Sequence, residues 1–230
     1  FIGSALLNKL KLNDNFKVFN TPKFKEIVSN LYLNEKNKIS LEFDNFLRDT
    51  DCLIHCAAIA NISYLKDKKL SSKLMKVNHE ATKLLVKRAV EFGVKRIIFL
   101  SSIGVNGNKT DLSGSFSADD IPNPHDDYSV SKSEAEKSLW KISKEMGIEI
   151  VVIRAPLVYG KGMKGNFLRL LNLVEKGIPL PFKRVKNLKS FIGLDNLIDL
   201  IICCIHHPKA AGKTFLASDG RRCIHFRFDY

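Results

Sequence analysis

An α/β fold with a doubly wound parallel sheet is the class this sequence predicts, and three observations carry it. Near-continuous apolar runs of strand length recur at Asp51–Ala58, Val94–Leu100 and Ile148–Ile153, as strands buried on both faces require. Longer stretches of helical periodicity alternate with them, the rhythm of strand–helix–strand units. Small and polar residues gather where these runs end, at Ala57-Ala58, Ser101-Ser102 and Arg154 to Gly160. Ligands of open α/β sheets collect at the carboxyl ends of the strands.

The chain opens with Phe1-Ile2-Gly3-Ser4-Ala5-Leu6-Leu7, which reads as the first turn of a helix. Gly3 there allows close packing on a sheet or a bound pyrophosphate. Phe16 to Phe19 predicts a short strand, residues 27–31 another, and Phe43 to Leu47 a helical turn. Val77-Asn78 open a helix with apolar positions at Ala81, Leu84, Leu85, Ala89 and Phe92, ended by Gly93. Gly104 to Asp127 is long, polar and rich in Gly, Ser, Asp and Pro, and so predicts an active-site loop. Ser129 to Met146 predicts a helix closed by Gly147.

After Gly160 the character changes. Helices are expected over Asn166–Lys176 and Asp195–Ile205, a turn-rich apolar segment at Gly177 to Phe182, and a short strand at Thr214 to Ser218. The expected division is therefore residues 1–160 as the sheet domain and residues 161–230 as a smaller lobe over the sheet edge.

Composition narrows the function. At 230 residues with 45% hydrophobic and 27% charged residues, the chain can bury a sizeable core. No apolar run approaches the ~18 residues of a membrane span, and no signal-peptide pattern is present, so the cytoplasm is expected. The net charge of +13 is spread through helices and loops without an aromatic-laced basic block. That argues against a nucleic-acid partner and for an anionic small substrate. The cysteines Cys52, Cys56, Cys203, Cys204 and Cys223 mostly sit in apolar runs and complete no zinc spacing, so structural thiols and no metal are expected.

The chemistry-bearing stretch is Tyr128-Ser-Val-Ser-Lys132, read with Ser101-Ser102 upstream. A Tyr and a Lys one helical turn apart share a face, and an ammonium beside a phenol favours the phenolate. Tyrosine titrates near ~10, so acid/base work at neutral pH needs it lowered by roughly three pH units, about 4 kcal/mol. Lys132 and a positively charged cofactor ring could supply that together. Elsewhere His55 reads as a packed strand histidine, and His206-His207 as imidazoles at a helix end. Asp119, Asp120, Asp126 and Asp127 read as loop-solvating carboxylates, and Tyr159 as an apolar wall of a cofactor pocket.

Taken in order, these pieces resemble the extended short-chain dehydrogenase/reductase superfamily, in its sugar-nucleotide epimerase/dehydratase branch. Phe1-Ile-Gly3 is similar to the tail of that family's glycine loop. Asp51 to Ala58 resembles its D-x-x-I-H-x-A-A strand, Asn78 its V-N-x-x-G/A-T helix start, and Leu100 to Gly107 its serine strand. Tyr128 and Lys132 resemble the Y-x-x-x-K pair, and Arg154 to Gly160 the R-x-P-x-V-Y-G segment. The stretches from Gly165, Gly177 and Leu194 resemble UDP-glucose and UDP-N-acetylhexosamine 4-epimerases.

The resemblance implies a Rossmann-type NAD domain with a substrate lobe, and catalysis by Ser102, Tyr128 and Lys132. It implies NAD contacts at Gly3, Ala57, Ala58, Asn78, Ser101, Tyr128, Lys132, Pro156 and Val158, with Ser101 facing the cofactor. Substrate contacts fall at Ser102, Asn166 and Lys189. The implied reaction is epimerisation at C4 of a nucleotide-diphosphate sugar through a 4-keto intermediate, in polysaccharide biosynthesis, and a homodimer is compatible with it. A dehydratase or an NADP-dependent keto-sugar reductase on the same scaffold is the alternative. Dehydratases of this branch carry Asp-Glu after the catalytic Ser/Thr, where Ile103-Gly104 stand here. Relative to the family, the first strand and two loop glycines are expected to be missing. A chain of marginal stability that binds NAD poorly, an inactive remnant of such an enzyme, is therefore a further alternative. Lys189 stands where relatives place Arg, and Arg221 to Tyr230 depart from the pattern.

Overall fold

The computed structural model describes residues 1–19, 41–60, 68–110, 114–163, 165–178, 188–220 and 222–224. The strand expected at 27–31 and the segment 179–187 lie outside the described residues. Helix α1 (Ile2–Lys11) is followed by α2 (Leu41–Arg48) and strand β1 (Cys52–His55). Helix α3 (Lys68–Leu74) runs without a break through a π-helical stretch, Met75–Glu80, into α4 (Ala81–Glu91). Strand β2 (Arg96–Ser102) leads by a 3₁₀ turn (Ile103–Val105) into the long loop. Then come α5 (Asp127–Met146), β3 (Glu149–Ala155) and β4 (Leu157–Tyr159). Helix α6 (Asn166–Glu175), β5 (Leu188–Gly193), α7 (Leu194–His206), β6 (Lys213–Leu216) and β7 (Arg222–Ile224) complete the order.

Four strands form one parallel sheet in the order β1-β2-β3-β6. Alternation of side chains decides which layer each strand residue joins. Ile97, Phe99, Ile150 and Val152 pack with Leu85, Val86, Ala89, Leu139 and Ile142 from α4 and α5. Ile98, Leu100, Val151 and Ile153 pack with Leu6 and Leu10 of α1 and with Ile198 and Ile201 of α7. Both faces are covered, which is why these strands read as continuous apolar runs; each buried side chain contributes about 1.5–3 kcal/mol. At the far end of β2, Arg96 pairs with Glu149 and donates to the carbonyls of Cys204, Ile205 and His207. That closes the C-terminus of α7 with a cation.

The structure corrects several expectations. Phe16 to Phe19 is not a strand among the described residues; its aromatics pack instead, Phe16 on His206 and Phe19 on Phe46. Asn78 does not open a helix but lies inside the π-helical stretch of a longer rod. The division after Gly160 is not the course the chain takes. Residues 194–216 return to the main fold, α7 covering one face of the sheet and β6 extending it beside β3. What stands apart is a small second sheet, β4-β5-β7, with β4 parallel and β7 antiparallel to β5. The reason lies in the pattern: α7 is apolar enough to need burial, and Phe215 offers an apolar contact to the same layer.

Candidate active site

One cleft of about 2010 Å³ runs along the β1 side of the sheet, from Phe16 and Asp51 at the amino ends of the strands to Ala58, Ser102 and Pro156 at their carboxyl ends. That is larger than the roughly 300–1,000 Å³ of a typical ligand pocket, and the active groups occupy only its carboxyl-end part. Gly3, Ala57, Ala58, Ser101, Ser102, Tyr128, Lys132, Pro156, Val158 and Asn166 all line it. Ladder register explains the gathering, because Ser102 pairs with Ala155 and so brings Pro156 beside the serine strand. Ala58, Ser102 and Pro156 thus share one cleft.

Ser102 ends β2 and caps the 3₁₀ turn, its Oγ accepting the Gly104 N–H at 3.2 Å. Accepting that bond leaves its own proton to donate. A Cβ on Gly104 would lie 2.1 Å from Ser129 Oγ, so only glycine lets this turn lie against the start of α5. Asp126 caps α5 through Ser129, accepting its N–H at 2.9 Å and its hydroxyl at 2.8 Å, as N-cap aspartates do. Gly147 ends the helix in the left-handed conformation.

Tyr128 is half-buried at the rim. Burial first, and the Asp126 carboxylate second, push its phenol up to about 12. Lys132 is buried on the same helix, donating to the Leu100 carbonyl at 2.8 Å with Nζ 4.4 Å from the Phe99 ring centroid. Burial lowers it to about 8, while Cys56 and Glu136 act to raise it. The expectation that Lys132 holds the phenol low is therefore not met in this state. The ammonium is directed to the strand backbone, and the phenol needs further positive charge to ionise near neutrality.

Asn78 does not line the cleft. Its Oδ1 accepts the Ile59 N–H at 2.8 Å, and its Nδ2 donates to Ile59 O at 3.1 Å and Ser131 Oγ at 3.0 Å. Ser131 Oγ in turn donates to the Tyr128 carbonyl at 2.7 Å. The side chain predicted to touch the cofactor instead ties the segment after β1 to the first turn of α5. Ser101 lines the cleft, and its hydroxyl donates to Glu136 Oε1 at 2.5 Å.

Lys189 is exposed on β5, outside the cleft lining. Tyr159 is 41% exposed, and its hydroxyl donates to Asp219 at 2.8 Å, so it is no apolar wall. The loop carboxylates also do more than face water. Asp120 accepts the Ser117 N–H at 2.7 Å, and Asp126 caps α5. His55 is buried against Thr82 and Phe99, as a packed strand histidine. Burial pushes the Cys52 thiol up to about 12 and those of Cys56 and Cys204 to about 11, the pattern of inert thiols. Sequence reasoning missed Arg169, which lines the cleft one turn beyond Asn166; the i,i+3 spacing was its only signal.

The family model for NAD dependent epimerases/dehydratases matches residues 1–217. The chain belongs to the NAD dependent epimerase/dehydratase family. It is similar to the UDP-glucose 4-epimerase of Vibrio cholerae, 42% identical over 96% of this chain and 68% of that protein. Its fold is similar to that of UDP-glucuronic acid 4-epimerase from Bacillus cereus in complex with UDP-glucuronic acid and NAD. There the TM-score is 0.77 at 24% identity, covering 97% of this chain and 76% of the other. RMD from Pseudomonas aeruginosa complexed with NADPH shares the fold at TM-score 0.74 and 18% identity, covering 97% and 77%. Within the family architecture, the carboxyl-end cleft is where a dinucleotide belongs. Among the described residues no helix is long and apolar enough to cross a membrane.

Proposed function

We propose that this chain catalyses NAD-dependent epimerisation at C4 of a nucleotide-linked sugar. One observation carries the reading. The chain is 42% identical to a UDP-glucose 4-epimerase across nearly its whole length, and Ser102, Tyr128 and Lys132 line a single cleft. The residues present fit a dinucleotide: Gly3, Ala57 and Ala58 are small where the cleft wall must admit a bulky ligand, and Lys132 is a buried cation within it. When bound, NAD would supply the acceptor for the sugar's C4 hydride, its return to the opposite face, and a positive charge to favour the phenolate.

The chain's own residues then handle protons and position. Tyr128 takes the proton from the C4 hydroxyl and returns it after the 4-keto intermediate has turned. Its ionisation requires the positive charge that Lys132 and the oxidised cofactor together provide. Ser102 donates to the same sugar oxygen, a role its accepted bond from Gly104 leaves open. Asn166 and Arg169, on one face at the start of α6, favour the diphosphate, where amides and a guanidinium meet a helix N-terminus. Closure of the cleft to water would keep the keto-sugar from leaving.

Under the same reading we place the activity in cytoplasmic polysaccharide biosynthesis and the protein as a homodimer; sedimentation tests the last. Ile103-Gly104 after Ser102 favours epimerisation over dehydration. The deciding experiment incubates the purified protein and NAD with UDP-glucose and UDP-N-acetylglucosamine and follows C4 configuration by NMR. C4 inversion that falls about 10²-fold or more in Tyr128→Phe with little change in substrate affinity is expected. Loss of water, or net consumption of NADPH with a keto-sugar, would replace the reading with the dehydratase or the reductase. Near-normal turnover in Tyr128→Phe would remove that residue from the mechanism.

A further inference from the structure

Four elements that frame the cleft meet at one buried ion pair that the proposed chemistry does not use. Glu136 on α5 and Arg154 on β3 are 3% and 4% exposed. Arg154 Nη2 lies 2.7 Å from Glu136 Oε2, with Nε at 3.1 and 3.2 Å from the two oxygens. Ser101 on β2 donates to the same carboxylate. Arg154 Nη1 donates to Asn106 Oδ1 at 2.9 Å, which sets the amide's direction. Asn106 Nδ2 can then donate to Ser117 O at 2.6 Å and reach Asp120 at 3.4 Å. The loop is pinned a second time where Asn123 N–H donates to Val105 O at 2.9 Å.

The chain positions of these residues give the cluster its meaning. Glu136 is one helical turn beyond Lys132 and two beyond Tyr128. Ser101 precedes Ser102, Arg154 lies two residues before Pro156, and Asn106 begins the loop that returns at Asp126 to start α5. Neither Glu136 nor Arg154 lines the cleft. Burying two charges costs several kcal/mol in desolvation, and apolar residues of like volume commonly hold a fold as well. Stability alone is thus a weak reason for the pair. A planar guanidinium, in contrast, fixes directions at both ends through its fork of donors.

We propose that the Glu136–Arg154 pair is the positioning centre of this site. It sets Ser102, the Tyr128 turn and the loop segments around Asn106 and 117–126 relative to one another, and it acts through them without touching substrate or cofactor. The proposal rests on the epimerase reading for its kinetic consequence, but the ordering it describes is independent of that reading.

The test is the paired variant Glu136→Leu/Arg154→Met, read by thermal melting, steady-state kinetics and amide hydrogen exchange. The expected result is a cooperative melt near that of the parent. C4 inversion shows kcat lowered about 10-fold or more, with KM for the sugar nucleotide within about threefold of the parent value. Exchange speeds up about 10-fold or more at 103–107 and 117–128 while β2 and β3 stay protected. A stable paired variant with parental exchange in those segments overturns the proposal. If the paired variant melts early, Arg154→Lys takes its place, since it keeps the charge but loses the fork. A folded Arg154→Lys with parental exchange and parental kcat then marks the pair as merely structural and overturns the proposal too. Absence of C4 inversion in the parent protein would defeat the epimerase reading, and the exchange data would still decide the positioning claim.

Discussion

The Lys132 ammonium donates to the Leu100 carbonyl at 2.8 Å, one residue below the strand end that carries Ser101 and Ser102. The bond fastens α5 to β2 at the depth of the active groups, yet it holds a cation in the interior, lowered to about 8 by burial. The folded value lies below the ordinary lysine value of 10.5, so the contribution to stability is complete above 10.5, drains as pH falls toward 8 and is gone below it. At pH 7 the full cost is present. Lys132→Met is therefore expected to raise unfolding free energy at pH 7 by about 2 kcal/mol, after the lost hydrogen bond is discounted. The same change lowers turnover about 10²-fold or more. Denaturant melts at pH 7 and pH 10.5 check it: the gain should shrink at the higher pH, and a variant less stable than the parent at pH 7 would contradict it.

The phenol of Tyr128 stands near 12, with burial the larger cause and Asp126 the smaller. Asp126→Asn keeps an N-cap of equal quality and removes the negative charge. The rising limb of the kcat/KM profile, which follows phenolate formation, should then move to lower pH. At pH 7 a gain of about two- to fivefold is expected. An unmoved limb in a variant with parental thermal stability would mean Asp126 does not act on the phenol.

Much of this was legible in the residues. Ile97 to Leu100 and Ile150 to Ile153 announced strands buried on both faces, and Gly147 announced the end of α5, because those signals are local. The cleft lining was legible for the same reason, since strand ends and one helix turn carry it. What escaped were side-chain destinations set by distant partners. Ser101 lines the cleft, yet its hydroxyl is spent on Glu136, because a residue 35 positions later places a carboxylate within reach. Tyr159 points outward because Asp219, 60 positions away, offers an acceptor there. The return of residues 213–216 to the main sheet likewise depends on where α7 leaves the chain, which no short window records.

Gly104 gives the most direct steric prediction. Its Cβ position lies 2.1 Å from Ser129 Oγ and 3.2 Å from Ser129 Cβ. Gly104→Ala must push the Ser102 turn away from the start of α5, at a cost of about 1–3 kcal/mol and a loss of turnover. Ser129→Ala removes the nearer atom and leaves the farther, whereas Ser129→Gly removes both. A double-mutant cycle should therefore show partial recovery with Ser129→Ala and more with Ser129→Gly. Equal losses in all three backgrounds would place the strain elsewhere.

His55 links the core to pH. Its Nε2 lies 2.9 Å from Thr82 Oγ1, and its ring stacks on Phe99 at 5.8 Å between centroids. Burial first, then the Lys132 cation, lowers it to about 3 from an ordinary 6.5. Because the folded value is the lower one, the fold holds His55 neutral while the unfolded chain takes up a proton below 6.5. The stability associated with the neutral ring is complete above 6.5 and drains away as pH falls toward 3. Each pH unit in that window is worth about 1.4 kcal/mol at most, so the step from 6.5 to 4.5 should remove about 2–3 kcal/mol. His55→Gln can still bond Thr82 but does not titrate. The decisive comparison is the slope of unfolding free energy against pH in the two proteins, which cancels carboxylates common to both. The parent is expected to lose about 2 kcal/mol more than His55→Gln between pH 6.5 and 4.5, and parallel slopes would show that the buried ring is not what couples this core to acid.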